Sequence, residues 1–120
     1  MSNTIKCFMV SRNDLLIDKL ATFVEKTYFL EIFDDEELIF EDGYPMFMFF
    51  DMDSLKIGAQ NIRKLLTLPF LPVFISSVYS RDIVSQIMGN GFSYFGFLNK
   101  KSTYDDFINE ISQIIDEKYT

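Results

Sequence analysis

The 120-residue chain has no histidine and a single cysteine, Cys7. The missing histidine removes Ser-His-Asp and Cys-His nucleophile systems, imidazole bases and imidazole metal ligands together. One thiol allows neither an internal disulfide nor structural zinc. Cys7 lies in an apolar run, which suits a reducing compartment. Any metal would need oxygen ligands, as magnesium and calcium do. Cations are also scarce: 11 Lys and Arg stand against 18 Asp and Glu, a formal net charge of −7. Nucleic-acid surfaces need clustered basic residues, so no nucleic-acid partner is expected. No apolar run approaches the roughly 20 residues that cross a bilayer, so no membrane partner is expected either. The opening Met-Ser-Asn-Thr-Ile-Lys lacks the basic-then-apolar layout of a secretory signal, and the expected location is cytoplasmic. Repeats, low-complexity tracts and linkers are missing too, and the chain reads as one domain over residues 1–120.

What the chain does have is apolar bulk: 48% hydrophobic residues, with 14 Phe and 6 Met. The central stretch is Pro45 to Asp51, whose five consecutive large apolar residues suit a parallel strand buried on both faces. Ile5–Val10 reads as a first strand. A helix follows from about Asp14 to Lys26, with Leu16, Leu20, Phe23 and Val24 at helical spacing. Phe29–Phe33 reads as a second strand, with Glu31 suggesting a sheet edge. The run Asp34-Asp35-Glu36-Glu37 lacks the alternation and glycine of a calcium loop and reads as the solvated start of a short helix, its acids favouring the helix dipole. A helix over about 59–68 ends at Pro69. Pro72–Ile75 is the fourth strand. Ser80 caps a helix carrying Ile83, Val84 and Ile87, which stops at Gly89-Asn90-Gly91. Phe95–Leu98 is the fifth strand, and Ser102 caps a last helix whose inner face is Phe107, Ile111, Ile114 and Ile115. Strands alternating with helices predict an α/β fold with a parallel sheet covered on both sides.

Polar residues then gather at four strand ends: Ser11-Arg12, Asp51, Ser76 and Lys100. Their order and spacing resemble the receiver domains of two-component response regulators over nearly the whole chain. Pro45–Asp51 is similar to the family's third strand, which ends in the phospho-accepting aspartate. Ser76-Ser77 is similar to the hydroxyl residue and small residue that end its fourth strand. Gly96-Phe97-Leu98-Asn99-Lys100 is similar to its aromatic placed three residues before an essential lysine. The resemblance implies a doubly wound, flavodoxin-like sheet of order 2-1-3-4-5 with five helices and a site at the switch point. It also implies Asp51 as the phospho-acceptor position, Lys100 as partner of an acyl phosphate, Ser76 as the inward-turning hydroxyl and Phe97 as the switch aromatic. The implied partner surface is the face formed by the fourth helix, fifth strand and fifth helix. Tyr94, Phe95 and Tyr104 stand out there, because aromatics anchor interfaces.

Several positions depart from that pattern. The family's two adjacent acids after the first strand, which hold magnesium, are replaced by Ser11 and Arg12, so no cofactor is expected. Leu55 and Lys101 stand where the family has prolines. The loop after Asp51 is shorter than usual, and Gly91 to Phe95 carries about two extra residues. Asp14 and Asp53 are the nearby acids that could supply a further metal ligand, although Asp14 reads as a helix cap and Asp53 as a donor of its backbone carbonyl. Arg12 is placed to reach Asp51 and form a bidentate pair in place of a metal.

Two functions follow as expectations. One is a degenerate, or pseudo-, receiver that binds a signalling protein without Asp phosphorylation and is not an enzyme. The other is a stand-alone receiver, phosphorylated on Asp51 in a phosphorelay with magnesium and a histidine kinase. A flavodoxin-like ligand binder is disfavoured because no Gly-rich or Ser/Thr-rich phosphate loop follows the first strand.

Overall fold

A computed structural model describes residues 5–32, 46–53, 71–88 and 95–119. Its strands are β1 (Ile5–Val10), β2 (Leu30–Ile32), β3 (Met46–Asp51), β4 (Leu71–Ile75) and β5 (Gly96–Leu98). They form one five-stranded sheet in the order β2-β1-β3-β4-β5, and every neighbouring pair is parallel. Expected and observed order agree. β3 is central, and its Phe-rich run is fully buried because sheet neighbours lie on both sides and apolar residues project from both faces. β2 is an edge, and Glu31 on it is exposed, as its charge requires.

The described helices are α1 (Asp14–Glu25), α2 (Arg81–Met88) and α3 (Tyr104–Tyr119). They correspond to the first, fourth and fifth of the expected helices. The expected short helix at the acidic run and the helix over 59–68 lie outside the described residues.

Two caps differ from expectation. Asn13, not Asp14, caps α1: its Oδ1 accepts from the Leu15 and Leu16 N–H groups at 3.1 and 3.3 Å. Thr103, not Ser102, caps α3. Asp106 N–H donates to Thr103 Oγ1 at 3.3 Å, and Thr103 N–H donates back to Asp106 Oδ2 at 2.9 Å, a reciprocal capping pair. Ser102 instead closes the turn after β5, accepting from Asn99 N–H at 2.9 Å. Ser80 behaves as expected, its Oγ accepting from Ile83 N–H at the start of α2.

Strand alternation divides the sheet into two faces. Cys7, Phe47, Phe49, Leu71, Val73, Ile75 and Leu98 face α1 and α3, and pack with Leu16, Leu20, Val24, Phe107, Ile111 and Ile114 in one core. Phe107 is the hub, stacked on Phe49 at 5.8 Å and tilted against Phe23 at 5.4 Å between ring centroids. Met48, Phe50, Pro72 and Phe74 project the other way, where Phe50 stacks on Phe74. Burying each large apolar side chain contributes about 1.5–3 kcal/mol, so the sheet interior supplies much of the driving force. Cys7 is fully buried, and that burial pushes its thiol up to about 12 despite a hydrogen bond from the Glu31 backbone. The thiol is core, not a nucleophile.

Candidate functional site

Parallel pairing puts the ends of β1, β3, β4 and β5 along one edge, so residues distant in sequence meet there. Backbone bonds extend the sheet a step past the strands: Met52 N–H donates to the Ile75 carbonyl and Ser76 N–H to the Leu98 carbonyl. Those bonds fix where Asp51, Asp53, Ser76 and Lys100 begin.

Asp51 is the last residue of β3, and its side chain has 0% exposure. A buried carboxylate needs donors around it. Ser11, the first residue after β1, donates its hydroxyl to Asp51 Oδ2 at 2.7 Å. The Asp53 N–H donates to Asp51 Oδ1 at 3.1 Å, a side-chain turn that folds the chain over the strand end. Lys100 Nζ stands 3.4 Å from Asp51 Oδ1 and supplies the opposite charge.

The contacts described at Asp51 are those of Ser11, Asp53 and Lys100, and the bidentate clamp by Arg12 stays an expectation. Ser11 turns inward to Asp51 and also accepts from Asn13 N–H at 3.0 Å, which tightens the step into α1. The next residue, Arg12, is exposed, and Lys100 forms an ion pair with Asp51. Asp14 lies in the first turn of α1 and is exposed.

Asp53 has a role that sequence reasoning missed. It contributes its carboxylate, not merely its backbone. Oδ1 accepts the Ser76 hydroxyl at 2.7 Å, Oδ2 accepts the Ser77 N–H at 2.7 Å, and Lys100 Nζ stands 3.3 Å from Oδ2. Burial alone would push the Asp53 carboxyl up. The Ser77 N–H, the Ser76 hydroxyl and Lys100 outweigh it and hold the group below the ordinary 3.8. The available signal was the two-residue separation from Asp51, which lets a turn at the strand end lift the second side chain over β4.

Ser76 is fully buried and its Oγ has three partners: it donates to Asp53 and accepts from the Val78 and Tyr79 N–H groups at 3.0 and 2.8 Å. Lys100 is anchored from α1, where Lys19 Nζ donates to its backbone carbonyl at 2.6 Å. Among the described residues, the Lys100 ammonium lies between the two carboxylates, and the neutral Ser11 hydroxyl bonds Asp51. Among the described residues, no group of three or more His, Cys, Asp or Glu side chains converges as metal ligands do.

Phe95 and Tyr104, two of the residues expected at the partner surface, have different neighbours. Phe95 packs edge-on against Phe74 at 5.7 Å, beneath the Arg81 guanidinium. Tyr104 turns towards α1 instead: its hydroxyl bonds Thr27 Oγ1 at 2.8 Å and donates to the Lys26 carbonyl, and its ring lies beside Phe23. Being the first residue of α3, it leans across to the end of α1. Tyr94 lies outside the described residues, as does Leu55. Lys101 is exposed. Phe97 is half-buried, its N–H donating to Glu110 Oε2, the carboxylate that also holds Arg81 at 2.7 Å and ties α2 to α3.

No protein-family model and no curated protein matches the sequence. Among solved structures, the chain is similar to the signal receiver domain of a protein described as the response regulator NarL from Mycobacterium tuberculosis. The TM-score is 0.64 at 18% identity, covering 94% of this chain and 97% of that one. At that identity the likeness is one of fold: a receiver-like sheet in its strand order.

Proposed function

With a receiver-like fold as premise, we propose that the chain is an atypical response-regulator receiver domain, a signalling module that binds a protein partner independently of Asp51 phosphorylation. The observation that carries this reading is the company of Asp51: a neutral Ser11 hydroxyl at 2.7 Å and a shared Lys100 ammonium. Magnesium requires near-octahedral oxygen ligands, with one or two carboxylates free to turn towards it. Here Asp51 and Asp53 already share a cation, and Ser11 brings no charge, so the donor set does not suit the ion. Without a metal, an incoming phosphoryl group would meet, among the described residues, two carboxylates that share the Lys100 ammonium. No catalytic role in phosphoryl transfer follows from that arrangement.

The other reading, a receiver phosphorylated on Asp51 by a histidine kinase or small phosphodonor, is favoured by the placement of Asp51 at the end of the central strand beside Lys100 and one residue step from Ser76. Intact-mass analysis after incubation with acetyl phosphate and magnesium separates the two. The proposal expects an unchanged mass. A phosphoryl increment that disappears in Asp51→Asn would establish the other reading.

A further inference from the structure

Lys100 brings a cation to the strand-end site, yet it lies two residues beyond the short strand β5. Its ammonium stands 3.4 Å from Asp51 Oδ1 and 3.3 Å from Asp53 Oδ2 at once. A lysine is a point charge on a flexible stem, so sharing of that kind depends on where its backbone is held. The turn after β5 keeps its own shape. Asn99 N–H donates to Ser102 Oγ at 2.9 Å, Lys101 N–H to Asn99 Oδ1 at 2.8 Å and Ser102 N–H to the Asn99 carbonyl at 3.0 Å. These bonds are local, and none of them ties the turn to another element.

The Lys100 peptide is tied across the molecule by Lys19, whose Nζ donates to the Lys100 carbonyl at 2.6 Å. The donor is an ammonium, so the bond is charge-assisted and stronger than a neutral one. Lys19 is itself well held. It is half-buried in the middle of α1, its neighbour Leu20 lies in the core, and its ammonium stands 5.7 Å from the centre of the Phe23 ring, one turn on. Phe23 in turn packs on Tyr104 and Phe107 of α3. We propose that Lys19 is a positioning residue for the strand-end site: by fixing the Lys100 peptide against α1, it sets the Lys100 ammonium between Asp51 and Asp53. This role rests on the proposed function of the site and deepens it, because it makes α1 the element that controls how the Lys100 charge is shared.

Without the Lys19 donor, the Lys100 carbonyl turns to water and its peptide is free to rotate within the turn. The ammonium is then released towards solvent, to which 26% of the Lys100 side chain is already open. The helix itself stays anchored, because Asn13 caps it and Leu16, Leu20 and Val24 bury its inner face. Loss of the bond should consequently change the site and leave the fold in place.

The test is competitive acetylation of the whole folded chain with N-hydroxysuccinimidyl acetate, read lysine by lysine by peptide mass spectrometry. An ammonium held by two carboxylates is withheld from acylation, whereas one released to solvent reacts. Lys19→Met keeps the length of the stem and removes the donor. Lys100 should then label up to about tenfold faster than in wild type, the scale of one lost charge-assisted hydrogen bond. Lys19→Arg, which still donates, should restore the slow rate. Lys26 and Lys101, both exposed, are internal references and should label alike in every protein. The Ser77 amide resonance, whose N–H bonds the Asp53 carboxylate that Lys100 shares, should shift in Lys19→Met and return in Lys19→Arg. Should the methionine variant fold poorly, Lys19→Gln, which loses the charge, should still label Lys100 faster than wild type. Unchanged Lys100 labelling in the folded variant, an equal rise at Lys26 and Lys101, or no recovery in Lys19→Arg would overturn the proposal. The phosphorylation-independent reading fails by a different signal, a phosphoryl mass increment on wild-type Asp51, so the two failures are distinguishable.

Discussion

Asp53 shows how much chemistry one side chain can organise when three strand ends converge on it. Its carboxyl is held below the ordinary 3.8, so the folded state binds the proton less readily than the unfolded state does. The associated stability is fully present above the unfolded value and is lost as pH falls through the folded one. Asp53→Asn removes that titration. Urea unfolding at a series of pH values should therefore show wild type more stable than the variant at neutral pH, with the gap narrowing below about pH 4. A gap independent of pH would mean that Asp53 contributes no charge-dependent stability. Lys100 belongs to the same group. It was identifiable as a strand-end lysine, but its sharing between two carboxylates depends on where Asp53 lies.

At the scale of elements, the approach of α3 to the sheet depends on a missing side chain. A Cβ at Gly96 would lie 2.6 Å from Ile114 Cδ1 and 3.2 and 3.3 Å from the Val73 methyls. Ile114 Cδ1 is the end of a flexible chain and can yield, whereas Val73 is β-branched, fully buried in β4 and cannot move far. Gly96→Ala should overpack this contact and destabilise the protein by about 1–3 kcal/mol, read by chemical denaturation. An unchanged midpoint would show that α3 shifts freely. The same register places Lys100 beside Asp51 and Asp53, so the variant should also disturb the Ser77 amide. The ends of α1 and α3 show where element reading falls short. Both helices follow from apolar spacing, but their caps are Asn13 and Thr103, and the Thr103 cap is set by its reciprocal pair with Asp106 three residues on, a signal that apolar spacing does not carry.

For the molecule as a whole, charge is the unbalanced quantity. A formal net charge of −7 on 120 residues means mutual repulsion in the compact state. Salt screens charges over about 10 Å at 0.1 M. The melting temperature should consequently rise as sodium chloride is increased from about 0.01 to 0.2 M, measured by circular dichroism. A fall would mean that the pairs of Lys100 with Asp51 and Asp53, and of Arg81 with Glu110, outweigh the general repulsion. No helix among the described residues is long and apolar enough to cross a membrane.

The sequence by itself determined the strands and the buried character of Met46 to Asp51, because continuous apolar runs are local signals of burial, while the sheet order followed from the family resemblance. It also placed Asp51, Ser76 and Lys100 at strand ends, since a residue's position relative to the end of an apolar run is read directly from the chain. Only the tertiary structure decided which of them touch. That Ser11 turns to Asp51 depends on the path from β1 into α1. Whether Tyr104 faces β5 or α1 depends on how α3 lies across the sheet. Asp53 meets Ser76 and Lys100 because parallel register stacks the ends of β3, β4 and β5, a non-local condition that chain spacing does not encode.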